Sequence, residues 1–324
     1  MPIVLLPLAF GLLPVLNGVQ LRVLICGLLG LLFAGVLFSV AHFLADPQAT
    51  IEGYGMSHVL RTPLYNSHIH FSAAVAAGVV FGATALPQFR GWQKTAVISL
   101  LILFVLYLHL LASKTGLVMI YLFFALLVLR AAVRGRLLLA VSILIGCALG
   151  LWAAIRLVPT LEKRVYYVAY TWQQTLDGRR DGLYSDLGRA LSWDVATEVA
   201  IKHPLSGVGA GDMLHAMRVG YNAKYPNVAP ENHLIPHNQP LCVWLAAGLP
   251  ALVFFLVWLV APLRWMRRHP RRFYLRALWC VLLVPLLVEP FLEVQAGVAV
   301  YLYFLLSGQY LLRCTEVSPH HFHA

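Results

Sequence analysis

The chain has 324 residues, of which 60% are hydrophobic and only 11% charged, with a formal net charge of +11 and a mean hydropathy of +0.77. A charged fraction so far below the usual value of about 25% excludes an ordinary soluble domain. Long unbroken apolar runs, without polar alternation, exclude a membrane β-barrel.

Taken in chain order, the apolar runs predict nine spans, at 2–16, 22–45, 67–86, 95–112, 115–130, 137–158, 239–261, 275–291 and 295–313. Each is judged against the roughly 20 residues that cross a bilayer core. The predicted fold is all-α, a polytopic transmembrane helical bundle of about nine spans with a long, partly helical extramembrane loop. No cleavable signal peptide is predicted, because the start lacks a basic region and the first run ends without a small-residue cleavage pattern. Cys26, Cys147, Cys242, Cys280 and Cys314 lie in or beside spans without CxxC spacing, so they read as core residues. The terminal His320, His321 and His323 read as a tail and no metal site is predicted.

The positive charge is clustered between spans, which points away from nucleic acid. Arg90 with Lys94, then Arg130, Arg134 and Arg136, then Arg264, Arg267, Arg268, Arg271, Arg272 and Arg276 fall on one side if the spans alternate. Basic loops mark the cytoplasmic side and contact anionic lipid. Residues 46–66 and 159–238 then face outward and the C-terminus faces the cytoplasm. Nine spans put the N-terminus outside, the arrangement expected of a chain that lacks an odd number of leading helices. The predicted organisation is 1–158, N-terminal spans with the short outward loop 46–66; 159–238, the large outward loop; and 239–324, C-terminal spans and tail.

The outward segments hold the polar signatures. In 46–66 the one basic residue is Arg61, which reads either as a lipid-phosphate contact or as a site cation. His68 and His70 point to different faces of the next helix and do not suggest a shared metal. The loop 159–238 has eight basic and eight acidic residues. Asp186 is placed to cap a helix on which Arg189, Trp193, Ala196 and Ala200 share a face, ended by Pro204. The glycine-rich stretch from His203 to Asp212 leads to a second helix reaching about Tyr225. It reads either as an anion site at a helix start or as a tight turn between helices. Its glycines do not have dinucleotide-binding spacing. The loop ends in Pro236-His237-Asn238-Gln239-Pro240, where an imidazole sits at the mouth of a membrane helix. That is a position for proton transfer at the membrane surface or merely for capping. Glu289 and Glu293 lie near the outer end of the eighth span, and membrane-embedded carboxylates are functional candidates. They are placed to orient an arginine, to hold sugar hydroxyls, or simply to end a helix.

Together these residues resemble the O-antigen ligase and polymerase family of bacterial envelope glycosyltransferases. The match runs through Arg189 with Trp193, through His203-Pro204-Leu205-Ser206-Gly207-Val208-Gly209, and through His237-Asn238 followed by nine residues and Gly248. Ala251 stands where the family prefers Gly, Thr or Tyr. Ser113-Lys114-Thr115-Gly116 resembles the family's Ser-Arg-Thr/Ser-Gly element, with lysine for arginine. The resemblance covers about residues 20–313, and its members commonly have about a dozen spans.

The resemblance implies transfer of a glycan from undecaprenyl diphosphate, at the periplasmic face of the inner membrane, to a sugar hydroxyl of lipid A-core. It implies no metal, nucleotide or other cofactor. Its matching positions are Arg61, Arg189 and His237, of which the two arginines are assigned to the diphosphate and the histidine to general base. Lys114, Trp193, Asn238, Glu289 and Glu293 are the further candidates for substrate contacts. Cations suit the charge that grows on a diphosphate leaving group, and arginine can hold phosphate through two parallel N–H groups. Direct attack by the acceptor inverts the anomeric centre, and no carboxylate pair of the glycosidase kind is evident. Two rivals remain at this stage. One is a polymerase joining lipid-linked repeat units. The other is a transporter, against which stand the missing internal repeat and the large polar loop.

Overall fold

The computed structural model describes residues 2–56, 58–64, 67–177, 185–265 and 272–317. Among these residues every regular element is helical. The α-helices are α1 (Pro2–Leu12), α2 (Gly18–Ala45), α3 (Pro47–Tyr54), α4 (His68–Ala85), α5 (Gly91–Leu111), α6 (Lys114–Val133), α7 (Leu137–Leu157), α8 (Pro159–Leu176), α9 (Ser185–Lys202), α10 (Met213–Lys224), α11 (Gln239–Val260), α12 (Pro262–Trp265), α13 (Arg272–Val288) and α14 (Gln295–Val317).

Each of the nine predicted spans coincides with a helix. Among the described residues six stretches are long and apolar enough to cross a membrane, formed by α2, α4, α5, α6, α7 and α11 with α12. Helix α1 has 11 residues, about 16 Å at 1.5 Å per residue, short of a bilayer core of about 30 Å. The predicted run 2–16 stops early because Pro14 has no N–H to continue the helix and disfavours helical backbone at Leu13, and Asn17 then starts a new one. Its side-chain oxygen accepts from Val19 N–H at 3.0 Å and Gln20 N–H at 2.9 Å, while Gln20 Oε1 accepts from Asn17 N–H at 3.1 Å. This reciprocal box satisfies the free N–H groups of a helix start and moves α2 forward from 22 to 18.

The chain divides into two compact units, one of Met1–Val165, Arg268–Val284 and Gln295–Ala324, the other of Tyr166–Arg267 and Pro285–Val294. In the first, α4 is the central helix and packs on α2, α5, α6 and α14. Small residues make that possible. A methyl on Gly78 would lie 2.4 Å from Leu32 Cδ1, and one on Gly82 would lie 2.6 Å from Leu101 Cδ2. Close helix approach through small residues is the ordinary route to association in lipid. The Ser113-Lys114-Thr115-Gly116 element forms the turn from α5 into α6, where Ser113 Oγ meets Ser72 Oγ at 2.9 Å. Arg130, predicted as a lipid contact, is stacked over the Phe273 and Tyr274 rings at 4.4 and 4.8 Å. Of the predicted basic loop at 264–276, Arg264 lies in α12 and Arg272 and Arg276 in α13. Arg267, Arg268 and Arg271 fall outside the described residues, as do the terminal histidines.

The second unit packs α9 against α10 and α11. Leu187, Leu191 and Val195 of α9, Met213, Met217 and Tyr221 of α10, and Cys242 and Leu245 of α11 form its core. Arg189, Trp193, Ala196 and Ala200 share a face as predicted, but only the two alanines on it are fully buried.

Candidate functional site

The site grows from a break in α11. Pro250 has no N–H, so the carbonyl of Ala246, four residues back, loses its helical partner. Gly248 has φ +81° and ψ 179°, outside any helical conformation and open in practice only to glycine. The stretch from His203 to Gly209 seats itself on this break. Gly209 N–H donates to Ala246 O at 3.0 Å, Val208 N–H to Leu245 O at 2.8 Å, and Leu249 N–H to Pro204 O at 2.8 Å. A methyl on Gly248 would fall 2.0 Å from Leu205 O, and one on Gly207, itself at φ +65°, 2.6 Å from the Ala246 carbonyl carbon. This stretch therefore forms the tight turn that is one of its two sequence readings. Gly207 N–H is also taken, by His203 O at 3.0 Å, and the N–H groups of 207–209 are not open to an anion. Asp212 precedes α10 as predicted but makes no side-chain capping bond.

With α11 held there, its first residues face α9. Trp193 Nε1–H donates to His237 O at 2.8 Å, and His237 N–H donates to Ser192 Oγ at 3.3 Å. Asn238 caps α11, its Oδ1 accepting from Leu241 N–H at 3.0 Å, while its Nδ2 donates to Leu287 O at 3.0 Å. Gln239 donates through Nε2 to Glu293 Oε1 at 2.7 Å and accepts from Leu292 N–H at 2.7 Å. It is 2% exposed, so the break between α13 and α14 is clamped to the start of α11 by a buried amide. The sequence reading missed Gln239 and Ser192. Gln239 had a faint signal, as the residue next to His237-Asn238, whereas nothing marked Ser192.

That clamp presents Glu289, which is 8% exposed. Its Oε1 takes Arg189 Nη2 at 2.5 Å, and its Oε2 lies 3.6 Å from His237 Nε2. Arg189 also reaches Asp186 at 3.4 Å through Nη1, and its buried Nε makes no hydrogen bond. Asp186, predicted as a cap, lies in the first turn of α9 as an ionic partner of Arg189. His237 Nδ1 sits 3.0 Å from Ile235 O. A carbonyl can only accept, so Nδ1 carries the proton and the neutral ring presents its lone pair at Nε2. The arrangement is a basic nitrogen beside a carboxylate that an arginine holds in place.

The sequence candidates thus fall in two groups. Arg189, Trp193, His237, Asn238, Glu289 and Glu293 come together in the second unit. Arg61 and Lys114 belong to the first, where Arg61 is exposed with its carbonyl accepting from Ser39 Oγ at 2.5 Å, and Lys114 opens α6. His233 is 8% exposed, stacked on Tyr221 with ring centres 4.6 Å apart, and its Nε2 lies 3.0 Å from Val228 O. Burial pushes the Tyr221 hydroxyl up to about 12. Among the described residues no group of three or more His, Cys, Asp or Glu side chains is placed to hold a metal ion.

Residues 96–256 match the family model described as O-antigen ligase. The chain belongs to the O-antigen ligase family. No curated protein matches it significantly. The match takes in Arg189, Trp193, His237, Asn238 and Gly248, and so most of the second unit's site. The protein is accordingly a multi-pass membrane glycosyltransferase of the ligase or polymerase type.

Proposed function

We propose that this O-antigen ligase family member moves a glycan from undecaprenyl diphosphate to a sugar hydroxyl of lipid A-core, or a similar acceptor, at the periplasmic face of the inner membrane. The observation that carries the reading is the Arg189–Glu289–His237 constellation. In the step it supports, an acceptor oxygen attacks the anomeric carbon and gives its proton to His237 Nε2. The bond from that carbon to the diphosphate oxygen breaks, its electron pair leaves with the diphosphate, and the centre inverts. Glu289 Oε2, 3.6 Å from Nε2, stabilises the imidazolium that results, and the Nδ1–H to Ile235 O bond keeps the ring in the basic tautomer. Arg189 offers the remaining face of its guanidinium to the leaving diphosphate, since Asp186 holds it only at 3.4 Å from an exposed position. The roles of Arg61 and Lys114 as further cations rest on the sequence resemblance. The same donor chemistry serves a polymerase, in which a second lipid-linked repeat unit replaces lipid A-core.

The test is single-turnover transfer in proteoliposomes, with lipid-linked donor and each acceptor in turn. His237→Gln should bind donor normally yet transfer about 100-fold more slowly, the lower end of what a general base contributes. Whatever pH dependence the wild-type rate shows through general-base catalysis should be missing from the residual rate of the variant, which has lost the imidazole. A variant with the wild-type rate and pH profile would remove His237 from the chemistry. Product formed on lipid A-core alone identifies a ligase, and elongated lipid-linked glycan a polymerase.

A further inference from the structure

Helix α8 is built inside out. Thr160, Arg164, Tyr167 and Thr171 fall at i, i+4, i+7 and i+11 and are all buried, at 0, 7, 8 and 3% exposure. Val165, Ala169, Trp172 and Leu176 repeat the same spacing on the opposite face, and all four are exposed. Trp172 and Leu176 stand out at 67 and 71%, flanked by Tyr166 at 65% and Tyr170 at 50%. In water a helix turns its apolar stripe to the protein and its polar stripe outward. Here a buried arginine and two threonines face inward while a tryptophan, a leucine and a valine face out.

We propose that the exposed stripe of α8 lies in the headgroup and upper acyl region of the bilayer, on the side where α7 emerges. Continuity with the membrane carries this. Helix α7 is one of the six helices among the described residues long and apolar enough to cross a membrane, and a single residue, Val158, separates it from α8. The stripe therefore begins at the bilayer surface. Its composition fits that depth, because tryptophan and tyrosine rings collect where one end of the ring is apolar and the other wet. Arg156 at the end of α7 and Lys163 on the flank of α8 are exposed cations, placed to meet lipid phosphate. An apolar face laid about 5–10 Å into the interface is the usual mode of such helices. The chain segment leading to α9 then starts on the membrane and not in free solution, whichever sugar the protein transfers.

Photo-crosslinking of the full-length protein in native-like vesicles tests the assignment. A benzoylphenylalanine placed at position 172 or 176 should give adducts heavier by one phospholipid. As a second reading that does not need photochemistry, Leu176→Cys carrying a fluorophore should be quenched about twofold more by lipids brominated near the headgroup than by lipids brominated at the chain end. Crosslinks to a second copy of the chain, adducts with glycan, or a fluorophore quenched by aqueous iodide and not by lipid would each overturn the proposal.

Discussion

Helix α9 carries ionic side chains on two opposite faces, built from the same chemistry at similar distances. On one, Arg189 meets Glu289 at 2.5 Å; on the other, Lys202 meets Glu198 at 2.9 Å, and Lys224 of α10 meets Asp194 and Glu198 at 2.9 and 3.1 Å. Exposure separates them. The side chains of Arg189 and Glu289 are 21 and 11% exposed, whereas those of Lys224 and Lys202 are 35 and 64% exposed and their carboxylate partners 45%. Exposed pairs contribute about 0–1 kcal/mol, since water screens them and two long side chains lose freedom. A pair withdrawn from water costs desolvation that its attraction only partly repays, so stability is a poor reason to keep one. Under the proposed function, the difference singles out the Arg189 face as the one kept for chemistry and the Lys224 face as the solvated one.

The largest effect expected from breaking this contrast is at Glu289. Glu289→Gln keeps the shape and one acceptor for Arg189 but removes the charge between guanidinium and imidazole. An amide N–H turned towards His237 Nε2 would also occupy the lone pair that has to accept the proton. The rate of transfer should fall on the order of 100-fold, and the thermal midpoint should also fall, because the amide leaves the Arg189 charge uncompensated where water is scarce. The rate is therefore compared at a temperature where the variant is fully folded. A variant that transfers at the wild-type rate would show that the buried carboxylate is no more specific than the exposed ones.

How much of this was legible beforehand follows from the range of each interaction. Helical class and the span positions are local properties of apolar runs, and α11 begins at Gln239 where its run begins. The shorter α1 and the earlier start of α2 were also local, written in Pro14 and the Asn17–Gln20 box, but hidden inside a continuous apolar run. Gly248 is legible as a motif position, but the helix break it makes with Pro250 is hidden in the same way, inside a continuous apolar run. Its break shows only when the turn at 203–209 is known to fill it. The pairing of Arg189 with Glu289 spans 100 residues and that of Gln239 with Glu293 spans 54. No periodicity or spacing reports such contacts, so the candidates could be named without their partners.

A smaller effect is expected at Trp193, which sits on the same face as Arg189 but acts through a single bond, Nε1–H to His237 O at 2.8 Å. Trp193→Phe keeps most of the ring and loses that donor. One such bond is worth about 1 kcal/mol, close to fivefold in rate if it serves to hold the histidine. The loss should appear in kcat with the pH profile unmoved, since the base itself is intact. A change in the pH profile would mean that Trp193 reaches the imidazole electrostatically and does more than position its backbone.

The smallest effect is expected on the opposite face. Hydrogen bonds from Lys202 and then Lys224 hold the Glu198 carboxyl below its ordinary value, and bonds to Asp194 and then Glu198 hold the Lys224 ammonium above its own. A lowered carboxyl favours the folded state above its unfolded value, near 4.3, and that contribution fades as pH falls through the lowered folded value. A raised ammonium favours the folded state below its unfolded value and loses that contribution as pH rises through the folded one. Both windows lie far from neutrality, so Lys224→Met should leave transfer and its pH dependence near pH 7 unchanged. The thermal midpoint should move little at low salt and less at high salt, because these charges sit in water. A large loss of activity in Lys224→Met would erase the contrast between the two faces and make α9 ionic machinery on both sides.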